Sequence, residues 1–144
     1  MIFDLSGKTA VVTGSGSGIG KAIAIQLAKH GATTCLMDLN EESIINVAEE
    51  IRANKNIAKA YPGNVASQAE TIQVYAQIVK DYNTIDILVN SAGVSHIGKL
   101  DNTFEADFDR LYQVNVKGVY NSMYGAIPYM RNQNRGVILN LASV

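Results

Sequence analysis

The sequence predicts a doubly wound α/β fold, a parallel sheet with helices on both faces. Three observations lead there. Strand-like and helix-like segments alternate along all 144 residues. The strand-like runs are almost continuously apolar, as in IDILVN at 85–90, which suits strands buried on both faces. A glycine-rich turn, Thr13 to Gly20, joins the first strand to the first helix. Alternation with short connections is what stacked strand–helix–strand units require.

Taken in order, a first strand is expected over Thr9–Thr13 and a helix over Ile19–His30, which Gly31 stops. A second strand, Thr33–Asp38, leads to a helix over Glu41–Asn54 with Asn40 as its N-cap. The third strand, Ala58–Tyr61, precedes a helix over Gln68–Asp81, where Ser67 and Glu70 have capping-box spacing. The fourth strand, Ile85–Asn90, is followed by a long helix over Glu105–Arg131. In it Phe108, Leu111, Asn115, Val119, Ser122 and Ala126 recur at three- and four-residue steps as an inner stripe. A fifth strand covers Val137–Leu141. With no repeat, low-complexity tract or linker, residues 1–144 read as one domain.

Composition excludes several classes of function. Lys and Arg number 12 against 13 Asp and Glu, interspersed, for a net charge of −1, so nothing points to nucleic acid. The lone Cys35 lies in a strand-like run and reads as a buried structural thiol. Asp4 and Lys8 interrupt the N-terminus too early for a signal segment, and no apolar run approaches membrane-spanning length. A cytoplasmic protein with no membrane partner is expected. No cluster has metal-ligand spacing. His30 ends a helix, and His96 falls in the loop after Gly93, where it receives no role.

The turn TGSGSGIG carries the chemistry. Glycines let a ligand approach the backbone, and a helix N-terminus offers free N–H groups and a positive dipole end to phosphate. A phosphate loop of the G-x-x-x-x-G-K-[ST] type fails twice. Ser15 holds its first glycine position, and Ala22 stands where a hydroxyl must bind magnesium. The G-x-G-x-x-G fingerprint fails because Gly14 and Gly16 would need glycine at Ile19. What fits is T-G-x-x-x-G-x-G, through Thr13, Gly14, Gly18 and Gly20.

That pattern resembles the short-chain dehydrogenase/reductase family, in which it binds a nicotinamide dinucleotide. The resemblance implies a Rossmann-type sheet, with five strands present in the order 3-2-1-4-5 and further C-terminal strands missing. It makes Thr13, Gly14, Ser17, Gly18, Ile19 and Gly20 the pyrophosphate turn. Asp38 ends the second strand eighteen residues past Gly20, where an acid accepts from the adenosine ribose hydroxyls. A carboxylate there opposes a 2′-phosphate. Ser17 and Leu39 flank that place without a compensating cation, so NAD is expected over NADP. An Asp that merely caps the next helix is the other reading.

Asn64-Val65 matches the family's Asp-Val beside the adenine, with Asn able to accept through its side-chain oxygen. Asn90-Ser91-Ala92-Gly93 resembles its Asn-Asn-Ala-Gly, with Ala92 and Gly93 small enough for a close approach. Asn115 matches the Asn whose backbone holds a water of the proton relay, and Ser143 the serine that orients the substrate. A satisfied core amide and a plain turn residue are the alternatives.

One part of the family pattern is absent. Its catalysis uses Tyr-x-x-x-Lys in the helix after the strand that ends at Ser143. None of the seven tyrosines here has Lys four residues later. The expectation is therefore the N-terminal part of an NAD-dependent oxidoreductase, acting on a small alcohol/carbonyl pair when complete and inactive as this chain. The alternative is a non-catalytic dinucleotide-binding module or sensor. A tetramer or dimer is implied by the resemblance alone. The fifth strand is expected to leave an exposed edge, and Val116, Tyr120 and Met123 to be incompletely covered.

Overall fold

A computed structural model describes residues 3–143. Five strands form one sheet: β1 (Thr9–Thr13), β2 (Thr33–Asp38), β3 (Ala58–Pro62), β4 (Ile87–Asn90) and β5 (Val137–Asn140). Their order is β3-β2-β1-β4-β5, and every neighbouring pair is parallel. The helices are α1 (Gly18–Lys29), α2 (Glu41–Ala53), α3 (Gln68–Tyr82), α4 (Glu105–Tyr112) and α5 (Gly118–Asn132). Among the described residues no helix is long and apolar enough to cross a membrane.

Successive strand residues point to opposite faces, and each face has its own cover. Val11, Cys35, Met37 and Leu88 pack with Tyr75 and Ile78 of α3 and Ala126 of α5. Val12, Leu36 and Val89 pack with Ala24 and Ala28 of α1 and Ile44 and Val47 of α2. Cys35 is fully buried, and that burial pushes its thiol up to about 12, so it stays protonated at neutral pH.

Local signals set the helix ends. Asn40 Oδ1 accepts from the Ser43 N–H at 3.0 Å, which caps α2. Gly31, at φ +95, ends the chain's first helical stretch just after His30. Only half of the expected capping box at α3 forms. Ser67 Oγ accepts from the Glu70 N–H at 3.3 Å, but the Glu70 carboxylate reaches past Ser67 to the Asn64 N–H at 2.9 Å. The fourth strand begins two residues later than expected. Its lead-in residue Asp86 uses its buried carboxylate on the Thr9 N–H at 2.9 Å and on Arg135 Nε at 2.8 Å. Burial pushes that carboxyl up, but these bonds together with one from Thr84 hold it below its ordinary value.

The long final helix differs most from expectation. Gln113–Lys117 is a π-helical turn between α4 and α5. A π turn carries an extra residue per turn and so rotates the faces on either side against each other. Phe108 is 63% exposed rather than internal, and Asn115 is exposed as well. Ser122 and Ala126 of the expected stripe are buried, and Gly118, Asn121, Gly125 and Met130 complete the buried face of α5. At the sheet edge, Val137 and Leu139 of β5 are exposed.

Candidate functional site

The carboxyl ends of all five strands open into one cleft of about 960 Å³. Its lining includes Gly14, Ser17, Ile19 and Gly20 from the glycine-rich turn, and Asp38 and Leu39 from the end of β2. Asn64 and Val65 follow β3, Asn90 ends β4 and Ala92 and Gly93 follow it, and Asn115 and Ser143 complete the wall. Open parallel sheets bind ligands in such a crevice. Residues far apart in the chain are thus gathered at one place. Thr13 and Gly18 do not line it.

Thr13 works behind the wall. Its buried Oγ1 accepts from the Ser91 N–H at 3.2 Å and the Ala92 N–H at 3.1 Å, which ties the exit of β4 to β1. Gly14 sits at φ +65, and a Cβ there would lie 2.6 Å from Ala92 Cα. A Cβ on Gly20 would collide with the Gly14 carbonyl oxygen. These two glycines are needed for the protein's own packing. Gly18, at φ +56, opens α1 with no atom near its missing Cβ.

The N-terminus of α1 has no side-chain cap and no acid in its first turn. Its N–H groups and positive dipole end face the cleft beside Ser17, Ile19 and Gly20. Asp38 lies beside this turn. Its Oδ2 accepts from the Gly16 N–H and its Oδ1 from the Asn40 N–H, both at 3.0 Å. The carboxylate is therefore fixed in place at the cleft wall, and each oxygen has capacity to accept a further bond. Leu39 beside it is 74% exposed, and Lys21 is turned to Glu50 at 2.8 Å.

On the β3 side, Asn64 Oδ1 accepts from the Ala66 N–H at 2.9 Å. One acceptor site of the oxygen expected to face a base is thus used within its own turn. Asn90 is 3% exposed, and its Nδ2 donates to Asn140 Oδ1 at 2.8 Å. Its Oδ1 finds no protein partner among the described residues, leaving a buried acceptor beside the cleft.

Asn115 is not the buried core amide that its stripe suggested. Its Oδ1 accepts from the Val94 N–H and its Nδ2 donates to the Val94 carbonyl, both at 2.8 Å. The π turn presents this side chain to the loop after β4. Gly93 leaves it room, since a Cβ there would be 3.3 Å from Asn115 Oδ1. Sequence reasoning missed Asn121, which donates to the Val65 carbonyl at 2.8 Å. The available signal was an amide among small residues on α5, visible only once the π turn is placed. Among the described residues, the cleft lining contains no Tyr, Lys, Arg or His. No group of His, Cys, Asp or Glu among the described residues is arranged to hold a metal.

The family model for short chain dehydrogenases matches residues 8–144. The chain belongs to the short-chain dehydrogenase family. A 3-oxoacyl-[acyl-carrier-protein] reductase FabG of Thermotoga maritima is 36% identical over 140 residues, covering 97% of this chain and 57% of that protein. A metagenomic short-chain oxidoreductase solved in complex with NADP is 33% identical with a TM-score of 0.93, over 97% of this chain and 64% of that one. A hydroxysteroid dehydrogenase from Escherichia coli is 34% identical with a TM-score of 0.92, over 97% and 59%. This short-chain dehydrogenase chain thus spans little more than half the length of the curated relative. The family binds a nicotinamide dinucleotide, and within this span the glycine-rich turn contributes small residues and the N-terminus of α1, which has no side-chain cap, to the cleft wall.

Proposed function

We propose that residues 1–144 form the dinucleotide-binding part of an NAD-dependent oxidoreductase that moves hydride between NAD(H) and a small alcohol/carbonyl pair. The observation behind this reading is the convergence on one cleft of the uncapped α1 N-terminus, the anchored Asp38 carboxylate and the wall that includes Asn115 and Ser143. Bound nicotinamide supplies the hydride donor or acceptor. The chain's residues bind and orient. The amides of α1 hold the pyrophosphate, and Asp38 accepts from ribose hydroxyls. Asn64 and Val65 flank the adenine, and Ala92 and Gly93 border the middle of the cleft. Asn115 and Ser143 belong to the end where substrate meets nicotinamide, Ser143 orienting the carbonyl.

The choice of NAD over NADP turns on Asp38. Two backbone N–H groups hold its charge where a 2′-phosphate would sit, and Ser17 and Leu39 bring no cation to offset it. We expect NAD to bind at least about tenfold tighter, a difference of about 1.4 kcal/mol. The chain alone is expected to bind without turning over, since neither Tyr nor Lys lines the cleft. The same feature favours the second reading, a non-catalytic binding module or sensor. A cytoplasmic location and a homodimer or homotetramer belong to the proposal for the whole protein.

Isothermal titration of the 144-residue chain with NAD and NADP, together with a turnover assay on an alcohol panel, tests all three parts. Binding of neither dinucleotide ends the oxidoreductase reading. NADP binding as tight as NAD removes the role given to Asp38. Turnover at the rate of a complete relative would show that proton transfer needs no Tyr/Lys pair.

A further inference from the structure

Asn121 does not line the cleft, yet both ends of its amide act on the cleft's wall. The side chain is fully buried in α5. Its Nδ2 donates to the Val65 carbonyl at 2.8 Å, and its Oδ1 accepts from Gln68 Nε2 at 3.3 Å. One turn earlier on the same helix, Gly118 leaves space for the Val65 side chain. A Cβ there would lie 2.8 Å from Val65 Cγ2. Val65 is thus gripped by its carbonyl and by its side chain from two positions three residues apart.

The grip meets a specific need. Val65 lies beyond the last residue of β3, Pro62, so the sheet ladder offers its carbonyl no partner. A buried carbonyl without a donor is costly, and Asn121 is the donor that reaches it. The same device recurs at the other end of the cleft, where Asn115 binds both polar atoms of the Val94 backbone. Val65 and Val94 follow β3 and β4, strands separated in the sheet by β2 and β1. One helical stretch therefore holds two loops that border the cleft from different sides.

We infer that Asn121 is a positioning residue for the base-binding end of the cleft, setting Gly63, Asn64 and Val65 against α5 so that they present a fixed surface to an adenine. This rests on the dinucleotide reading above. An amide that served the core alone would affect folding stability and treat all ligands equally. A positioning amide weakens one end of the cofactor selectively.

NMR titration of the 144-residue chain with AMP and, separately, with nicotinamide mononucleotide separates these cases. In Asn121→Leu, the AMP Kd is expected to rise about tenfold and that of the mononucleotide to stay within about twofold. Gln68→Ala removes only the second partner of Asn121, and its AMP Kd is expected to rise about threefold with the same selectivity. Gln68→Ala decides the matter if Asn121→Leu does not fold. An unchanged AMP Kd in a folded Asn121→Leu, or in Gln68→Ala when the other is unfolded, overturns the inference and leaves the dinucleotide reading standing. So does an equal loss for both ligands. A wild-type chain that binds neither AMP nor NAD overturns both.

Discussion

The carboxylate of Asp38 is placed by two backbone N–H groups from different turns, those of Gly16 and Asn40. It cannot swing aside without breaking both bonds, and Gly16 leaves no slack, because a Cβ there would collide with Ser43 Oγ. Cofactor choice is therefore open to a clean substitution. Asp38→Ala removes the charge and leaves two N–H donors, while the exposure of Leu39 lets an Arg extend over the site without disturbing the core. The double variant Asp38→Ala/Leu39→Arg is expected to move the NAD:NADP affinity ratio toward NADP by about tenfold or more. Titration of both cofactors measures it, and an unmoved ratio would mean that the ribose hydroxyls do not meet Asp38.

At the scale of elements, the approach of α5 to α3 depends on small residues. Gly125 faces Tyr75, whose ring carbon would be 3.0 Å from a Cβ at that position. Tyr75 is fully buried, and burial pushes its phenol well above the ordinary range, so the ring acts as a packing surface and not as a proton donor. Gly125→Leu is expected to destabilise the fold by about 1–3 kcal/mol through overpacking. Urea melts would register this as a lower midpoint. A midpoint equal to wild type would show that Tyr75 has room to turn away. Phe108, Tyr112, Val116, Tyr120 and Tyr124 are exposed at four-residue steps, with the Phe108–Tyr112 and Tyr120–Tyr124 ring pairs 6.4 and 5.9 Å apart.

Across the whole molecule, that aromatic stripe and the edge of β5 are among the apolar surfaces left open. Val137 and Leu139 are exposed on a strand paired only with β4, and unpaired edges of this kind invite pairing with another chain. The 144-residue chain is expected to self-associate at micromolar concentration. Replacing Val137 and Leu139 together by Lys should lower the weight-average mass, since edge lysines block strand pairing. Sedimentation equilibrium on both forms provides the measurement. A wild-type chain that stays monomeric with a cooperative melt would show that these surfaces are tolerated as they stand.

Much of this was legible in the sequence. The five strands, their parallel class, the caps at Asn40 and Gly31 and the glycine-rich turn all follow from apolar period, from residues that accept positive φ and from side chains that reach the nearest N–H. These are local effects, encoded over a few residues. The inner stripe of the last helix holds at Ser122 and Ala126 and fails at Phe108 and Asn115, before and within a π turn that changes the period without any distinct residue to announce it. Asn115 accordingly faced a loop and not the core. Which side chain holds which wall was not legible at all. Thr13 binds the Ser91 N–H from 78 residues away, Asn121 the Val65 carbonyl from 56, and Asn115 the Val94 N–H from 21. Such bonds depend on how strands register and helices pack across the sheet, so the sequence by itself determined the elements and the glycine-rich turn, while only the tertiary structure decided what anchors the cleft around them.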